Sequence, residues 1–171
     1  MFLKFIQDFA LKKIIKKKLA NYKLSEAAAS IVTVGVIIDQ SYFNREEALI
    51  NELENAGITW ENIQILLFKE KIKPKETPVY PYFTRKNISA LGEFDGDALQ
   101  FINTSFDMLI SYYDIEKKPL VLTTLSSKAK FKAGFSSVNK SLNHFTINTV
   151  PEKYAEYISE LIKYLKILNK I

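Results

Sequence analysis

The sequence predicts an α/β fold with three layers and a mostly parallel sheet, Rossmann-like or flavodoxin-like, with an additional basic N-terminal helix. The run IVTVGVII at residues 31–38 is typical of a strand buried on both faces. A helical pattern at residues 44–57 and a second apolar run at residues 62–68 complete a strand–helix–strand unit. Strands that alternate with helices in this way form parallel sheets covered by helices.

Composition excludes several classes of protein. The chain has 171 residues, of which 47% are hydrophobic, and it contains no cysteine. This length is typical of one domain with a core large enough to fold without disulfides. The lack of cysteine excludes thiolate metal sites and favours a reducing, cytoplasmic location. The single histidine excludes sites built from two histidines, and we predict neither a metal nor a cofactor.

Positive charge is concentrated at both ends of the chain. Residues 1–23 carry seven lysines and one aspartate, a net charge of +6. Residues 24–115 have a net charge of −7 and residues 116–171 a net charge of +6. A basic end favours an anionic partner such as RNA or lipid, or the acidic middle of the same chain. Lysines that merely solvate a helix face are the alternative.

Two apolar stripes are predicted on an N-terminal helix that runs from about Phe2 to Tyr22. The first stripe and the lysines that continue it are Phe2, Phe5, Ile6, Phe9, Lys12, Lys13, Lys16 and Lys17. The second stripe, about half a turn away, is Leu11, Ile14, Ile15 and Tyr22. Because one flat surface cannot cover both stripes, we predict that one half packs on the domain and the other contacts a partner. A helix wedged between two parts of its own fold is the alternative.

The chain divides into this helix at residues 1–23 and a single α/β domain at residues 24–171, joined by a linker-like stretch at residues 24–30. The N-terminal segment is a poor signal peptide, because its lysine cluster follows its apolar part. No apolar stretch approaches the roughly 20 residues that span a bilayer, so we predict no transmembrane segment.

Capping and turn residues define the middle of the domain. Asn44 and Glu47 have the spacing of a capping box that opens a helix, and Gly57 closes it. Residues 78–83 (PVYPYF) are extended, because proline disfavours helix. Asp95 is expected to cap a short helix.

The C-terminal part alternates strands with one long helix. Residues 107–113, 130–135 and 144–148 are predicted strands. Periodicity does not decide between helix and strand for the segment after Pro119. A capping box that begins at Thr149 opens a final helix with a clean apolar face.

A pocket is predicted at the carboxyl ends of the strands, where open parallel sheets bind ligands. Asp39 and Tyr42 follow the first strand and Asp114 follows the third, so they should flank a site for a polar ligand or a hydrated cation. The alternative is that both aspartates only start turns or solvate loops. The five glycines form neither a G-x-G-x-x-G turn nor a P-loop, which excludes a dinucleotide enzyme of the usual kind.

Lys128, Lys130 and Lys132 should share one face of a strand, because strand side chains alternate between the two faces. Three ammonium groups on one face suit phosphates or a nucleic-acid backbone. Edge-strand lysines that discourage aggregation are the alternative. His144, at the edge of a strand, is more typical of a structural histidine than of a general base.

Five stretches carry a family resemblance: VGVIIDQSYF at 34–43, FDMLISYYD at 106–114, SKAKFKAGFSS at 127–137, LNHFTINT at 142–149 and ELIKYLKILNKI at the C terminus. They resemble an uncharacterised family of Bacteroidota known only as a domain of unknown function. This resemblance implies a cytoplasmic α/β protein and transfers no catalytic residue. Residues 107–110 and 129–134 are also similar to the N-terminal half of heptosyltransferase-like glycosyltransferases, which implies a remnant without their nucleotide-sugar domain.

These observations favour a non-enzymatic cytoplasmic binding module whose basic helix docks a protein or an RNA-containing partner. A homodimer fits the same pattern. One alternative is a small-molecule-binding domain or small enzyme that uses the pocket near Asp39 and Asp114, with one of the three lysines on a phosphate. The other is peripheral attachment to an anionic membrane through the helix.

Overall fold

A computed structural model describes residues 1–24 and 29–171, and it confirms the α/β prediction. Six strands form one sheet in the order β3-β2-β1-β4-β5-β6, and all neighbouring strands are parallel. The strands are β1 (Val34–Asp39), β2 (Ile63–Phe68), β3 (Tyr82–Phe83), β4 (Met108–Tyr112), β5 (Phe131–Phe135) and β6 (Phe145–Ile147). The order reverses between β1 and β4, as in doubly wound sheets. Part of the predicted linker, residues 25–28, lies outside the described residues.

Helices cover both faces of the sheet. They are α1 (Phe2–Asn21), α2 (Glu46–Asn55), α3 (Gly96–Asn103), α4 (Lys118–Ser126) and α5 (Tyr154–Ile167). One core lies between the sheet and the pair α2 and α5. A second core lies between the opposite face and α1, α3 and α4. This is the three-layer arrangement that the sequence predicts.

β1 runs through the centre of the sheet, and all six of its residues are buried. Val36 and Ile38 enter the first core, whereas Ile37 enters the second. A Cβ atom at Gly35 would lie 2.7 Å from the ring of Phe106 and 2.9 Å from that of Phe101, a residue of α3. Glycine is therefore required here for close packing, because any side chain would displace both rings.

α1 packs on the domain along one face. Leu11 is fully buried in the second core, and Ile14 and Ile15 contact the same core. Leu19 and Tyr22 pack against a smaller cluster that includes residues of α4. The stripe of Leu11, Ile14, Ile15 and Tyr22 is therefore the inner face of the helix.

The segment after Pro119, which periodicity left undecided, is helix α4. Every residue from Pro119 to Leu125 is buried, because α4 lies between the sheet and its neighbours α1 and α3. A helix covered on all sides has no polar stripe, so its sequence shows no period of 3.6 residues.

Two predicted capping boxes are replaced by other contacts. α2 begins at Glu46 without a side-chain cap, and the Glu46 carboxylate accepts a hydrogen bond from Gln40 Nε2 at 2.6 Å. α5 begins only at Tyr154, because a turn precedes it in which the Pro151 carbonyl accepts a hydrogen bond from Tyr112. Both helices consequently start later than the cap spacing indicates.

Candidate functional site

The carboxyl ends of β1 and β4 flank the point at which the strand order reverses, where doubly wound sheets form a binding crevice. Asp39 is the last residue of β1, and Glu70 follows the end of β2. Lys117 follows β4 and is the N-cap residue of α4. The parallel topology brings these three side chains to one edge of the sheet.

Lys117 fills this crevice. Its Nζ lies 2.8 Å from Asp39 Oδ2 and 2.9 Å from Glu70 Oε1, and it donates to Ser41 Oγ. Asp39 is only 4% exposed, and its Oδ1 accepts hydrogen bonds from the Ser41 backbone N–H at 3.1 Å and hydroxyl at 2.6 Å. A buried carboxylate needs a cation and hydrogen bonds, and the chain itself supplies both.

The charges in the crevice reinforce one another. Burial disfavours the Lys117 ammonium, but its hydrogen bonds to Asp39 and Glu70 outweigh burial and raise the pKa of Lys117. The same hydrogen bond and the charge of Lys117 lower the pKa of Glu70, and the charges of Lys4 and Lys71 act in the same direction. Lys117 and Glu70 are therefore both charged at neutral pH.

The three predicted pocket residues Asp39, Tyr42 and Asp114 lie at this same edge. Burial raises the pKa of Asp114, and the charges of Glu152 and Asp39 add to the effect. A hydrogen bond with Glu152 raises the pKa of Tyr42. In residues 1–24 and 29–171, no group of three metal-ligating side chains is arranged to hold a metal ion.

An open groove of about 450 Å³ lies beside the crevice, at the amino end of α2. Gln40, Asn44 and Glu46 line it, together with the ion pair of Lys69 and Glu76. The two aspartates of the crevice are not among its lining residues. Within the groove, Gln40 donates a hydrogen bond to Glu46, and Lys69 pairs with Glu76.

Two of the three predicted phosphate-binding lysines lie at the opposite edge of the sheet. β5 begins at Phe131, so Lys128 and Lys130 precede the strand, and both are exposed. Lys130 Nζ lies 3.2 Å from Asp107 Oδ1 at the start of β4. The three lysines therefore do not form a single strand face, because only Lys132 belongs to the strand.

Lys132 is a buried lysine at the carboxyl end of α4. Its side chain is 3% exposed, and its ammonium donates to the carbonyls of Thr124 at 2.5 Å and Ser127 at 3.0 Å. The Tyr22 ring covers it at 5.2 Å, and burial raises the pKa of that phenol to about 12. Carbonyl oxygens at a helix end carry partial negative charge, so Lys132 joins β5 to α4 and to the end of α1.

Stability should depend on the protonation of Lys132. Burial lowers the pKa of Lys132 to about 8, well below its ordinary value of 10.5. Between these values the unfolded chain binds more protons, so the free energy of unfolding should rise by about 1–2 kcal/mol from pH 8 to about pH 9.5. Below pH 8 both states hold the proton and this dependence ends.

The measurement is urea denaturation of the wild type and of Lys132→Met across this pH range. Tyrosines other than Tyr22 titrate alike in both proteins, and burial raises the pKa of Tyr22 to about 12, above this range, so the difference between the two proteins isolates Lys132. An equal pH slope in the variant would show that Lys132 is not the titrating group.

His144 and Asp107 have structural contacts. His144 Nδ1 accepts the backbone N–H of Lys132 at 2.9 Å, and its ring stacks on Phe131. Asp107 Oδ2 accepts the backbone N–H groups of residues 32 and 33 at 3.1 and 2.9 Å. Asp107 thus lies at the amino edge of the sheet, away from the crevice.

The outward face of α1 begins with an apolar half. Phe2, Phe5 and Phe9 are 77%, 71% and 54% exposed, and Ile6 is also exposed. At helical spacing, the phenylalanines project away from the domain, opposite the buried Leu11 side. Contiguous exposed apolar surface of this kind marks interaction sites.

The same face continues as a basic half. It consists of Lys12, Lys13, Lys16 and Lys17, which are all exposed. None of the four forms an ion pair with a described residue. Lys13 Nζ instead lies 4.9 Å from the centre of the Phe9 ring. No helix within the described ranges is long and apolar enough to cross a bilayer.

The sequence predicts Asp39 and Asp114 at this edge, but no motif in it indicates Lys117 or Glu70. Lys117 stands 78 positions after Asp39 in the chain, so no local spacing joins them. The sequence indicates Lys117 only through its position, which is between the end of the third predicted strand and Pro119.

The chain matches the model of a protein family. A model of a family described as "Family of unknown function (DUF6913)" matches residues 7–168, which include the whole sheet and most of α1. No curated protein and no solved structure matches the chain.

Proposed function

Because the chain belongs to the family of unknown function DUF6913, whose description names no activity, we propose a function from the surface that the fold leaves uncovered. The protein is a binding module that docks onto an anionic partner surface. It does so through the outward face of α1, which we define as Phe2, Phe5, Ile6, Phe9, Lys12, Lys13, Lys16 and Lys17.

The exposure of the three phenylalanines is the observation that supports this proposal most strongly. Burying a Phe side chain stabilises a protein or a complex by about 1.5–3 kcal/mol. Phe2, Phe5 and Phe9 stay exposed in the fold, so a partner that buries them would gain this stabilisation. The inner face of α1 is held by the buried Leu11. The helix therefore presents its apolar half as part of a folded surface.

The charge of the outward face indicates an anionic partner. Its basic half carries four lysines, and Asp8, the acidic residue of the helix, lies 3.8 Å from both Arg85 and Lys118. Those two cations belong to the body of the domain. The negative charge of α1 is thus balanced internally, while the outward face keeps its positive charge for a partner.

Replacing the phenylalanines should abolish docking without unfolding the protein. In native lysate of the source cells, the wild type should migrate with high-mass or particulate material, and Phe2→Gln/Phe5→Gln/Phe9→Gln should elute as the free 19.7 kDa chain. Glutamine is a good helix former, so α1 should be preserved. Gel filtration followed by immunodetection measures the distribution.

The matched control is Ile167→Gln, which replaces a 69% exposed apolar residue on α5, across the sheet from α1. Its distribution should equal that of the wild type. The proposal fails if the triple variant still migrates with the large material, or if the control shifts as far as the triple variant does.

A further inference from the structure

We infer that the anionic surface is the interface of a lipid bilayer, an inference that rests on the proposed docking function. The apolar and basic parts of the outward face are segregated along the helix axis, with apolar side chains up to Phe9 and lysines from Lys12. A nucleic-acid backbone would satisfy the lysines but offers no apolar medium for Ile6 and the three phenylalanines. A bilayer interface offers both, because hydrocarbon lies beneath a layer of phosphates.

The helix is already oriented for interfacial binding. Its inner face is fixed to the domain by Leu11, Ile14 and Ile15, so the axis can lie along a membrane surface without leaving the fold. Phe2, Phe5 and Phe9 would then enter the boundary of the acyl chains, and the lysines would reach the headgroups through their flexible stems.

A neighbouring loop extends this basic and apolar surface. Lys117 contacts Glu70, and the adjacent Lys118 lies 3.8 Å from Asp8 of α1, so the first half of α1 lies close to the loop that follows β2. That loop also carries Ile72, which is exposed, and Lys73. The membrane would therefore contact the carboxyl edge of the sheet, the edge at which Lys117 fills the crevice.

The test is vesicle flotation of the purified full-length protein. Vesicles of equal parts phosphatidylcholine and phosphatidylglycerol should bind the wild type, and vesicles of phosphatidylcholine alone should bind it at least tenfold more weakly. High salt should release the protein, because screening shortens the Debye length from about 10 Å at 0.1 M to about 3 Å at 1 M.

Two variants separate the apolar and basic contributions. Phe2→Gln/Phe5→Gln/Phe9→Gln should lose at least tenfold in affinity for the mixed vesicles. Replacing the four lysines by glutamine should cost about fivefold for each lysine that meets the surface. The matched control is Lys163→Gln/Lys166→Gln, which removes two exposed lysines of α5 across the sheet from α1 and should bind like the wild type. Circular dichroism verifies that each variant is folded.

Three outcomes would overturn the bilayer inference: no binding to mixed vesicles, equal binding to neutral vesicles, or full binding by the phenylalanine variant. If the protein instead binds single-stranded RNA through the lysines and ignores vesicles, the partner is a nucleic acid. The proposed docking function survives that result, provided that the phenylalanine variant still leaves the large material in lysate. If the protein binds no vesicles and the phenylalanine variant still migrates with the large material in lysate, both proposals fail.

Discussion

Leu11→Ala should lower the free energy of unfolding by about 3 kcal/mol. Leu11 is 0% exposed and fills the space between α1 and the second core, so its removal leaves a cavity lined by apolar side chains. The neighbouring side chains belong to the sheet and to α3 and α4, which cannot collapse freely into that space. Equilibrium denaturation in urea measures the change from the shift in midpoint.

The matched control stands only two residues away. Phe9→Ala removes a larger side chain from the same helix, but Phe9 is about half exposed and lies on the outward face, so we expect less than about 0.5 kcal/mol. Equal effects at the two positions would mean that α1 does not dock on the domain in solution. A much larger loss of stability at Leu11 than at Phe9 would show that α1 is part of the folded unit. Deletion of residues 1–23 would then expose the second core to solvent.

The parts of the fold that sequence predicted are those with a local physical signal. β1, β2 and β4 are buried strands whose apolar runs stand out against their flanks. Once those strands are taken as parallel, their carboxyl ends must meet at one edge, and Asp39 and Asp114 both lie at that edge in the structure. The separation of two stripes on α1 likewise follows from helical geometry alone.

The missed parts depend on contacts between distant residues. β3 has only two residues, and its pairing with Leu67 and Phe68 follows from the tertiary fold. The alternation of side chains predicts Lys128 and Lys130 in a strand, but α4 ends at Ser126 and β5 begins only at Phe131. The length of that connection is fixed by how α4 packs, which local sequence does not encode.

The sequence also carries no local signal that shows which charged side chains are buried. A lysine is buried only where acceptors are arranged around its ammonium, and the acceptors of Lys132 are backbone carbonyls of Thr124 and Ser127. Any residue type supplies a carbonyl, so no motif marks such a site. Lys117 is a similar case, because its partners come from the ends of two other strands.

Lys117→Met should lower the free energy of unfolding by about 3 kcal/mol, since it leaves Asp39 buried without a cation. The hydrogen bonds from Ser41 would remain, and they satisfy only part of the carboxylate. Glu70→Gln provides the control, because that carboxylate is 57% exposed and its contact with Lys117 is worth less than about 1 kcal/mol. Urea denaturation at neutral pH compares the three proteins.

The double variant Asp39→Asn/Lys117→Met separates the ion pair from the packing around it. With both charges removed, no uncompensated charge stays buried, so the double variant should recover most of the loss and show an interaction energy of about 2 kcal/mol in the mutant cycle. If the two substitutions change the free energy of unfolding additively, the contribution of Asp39 to stability does not depend on Lys117. Recovery would establish that the crevice at which doubly wound sheets bind ligands is occupied, in this chain, by its own lysine. That occupancy would support the proposal that binding takes place on the outward face of α1.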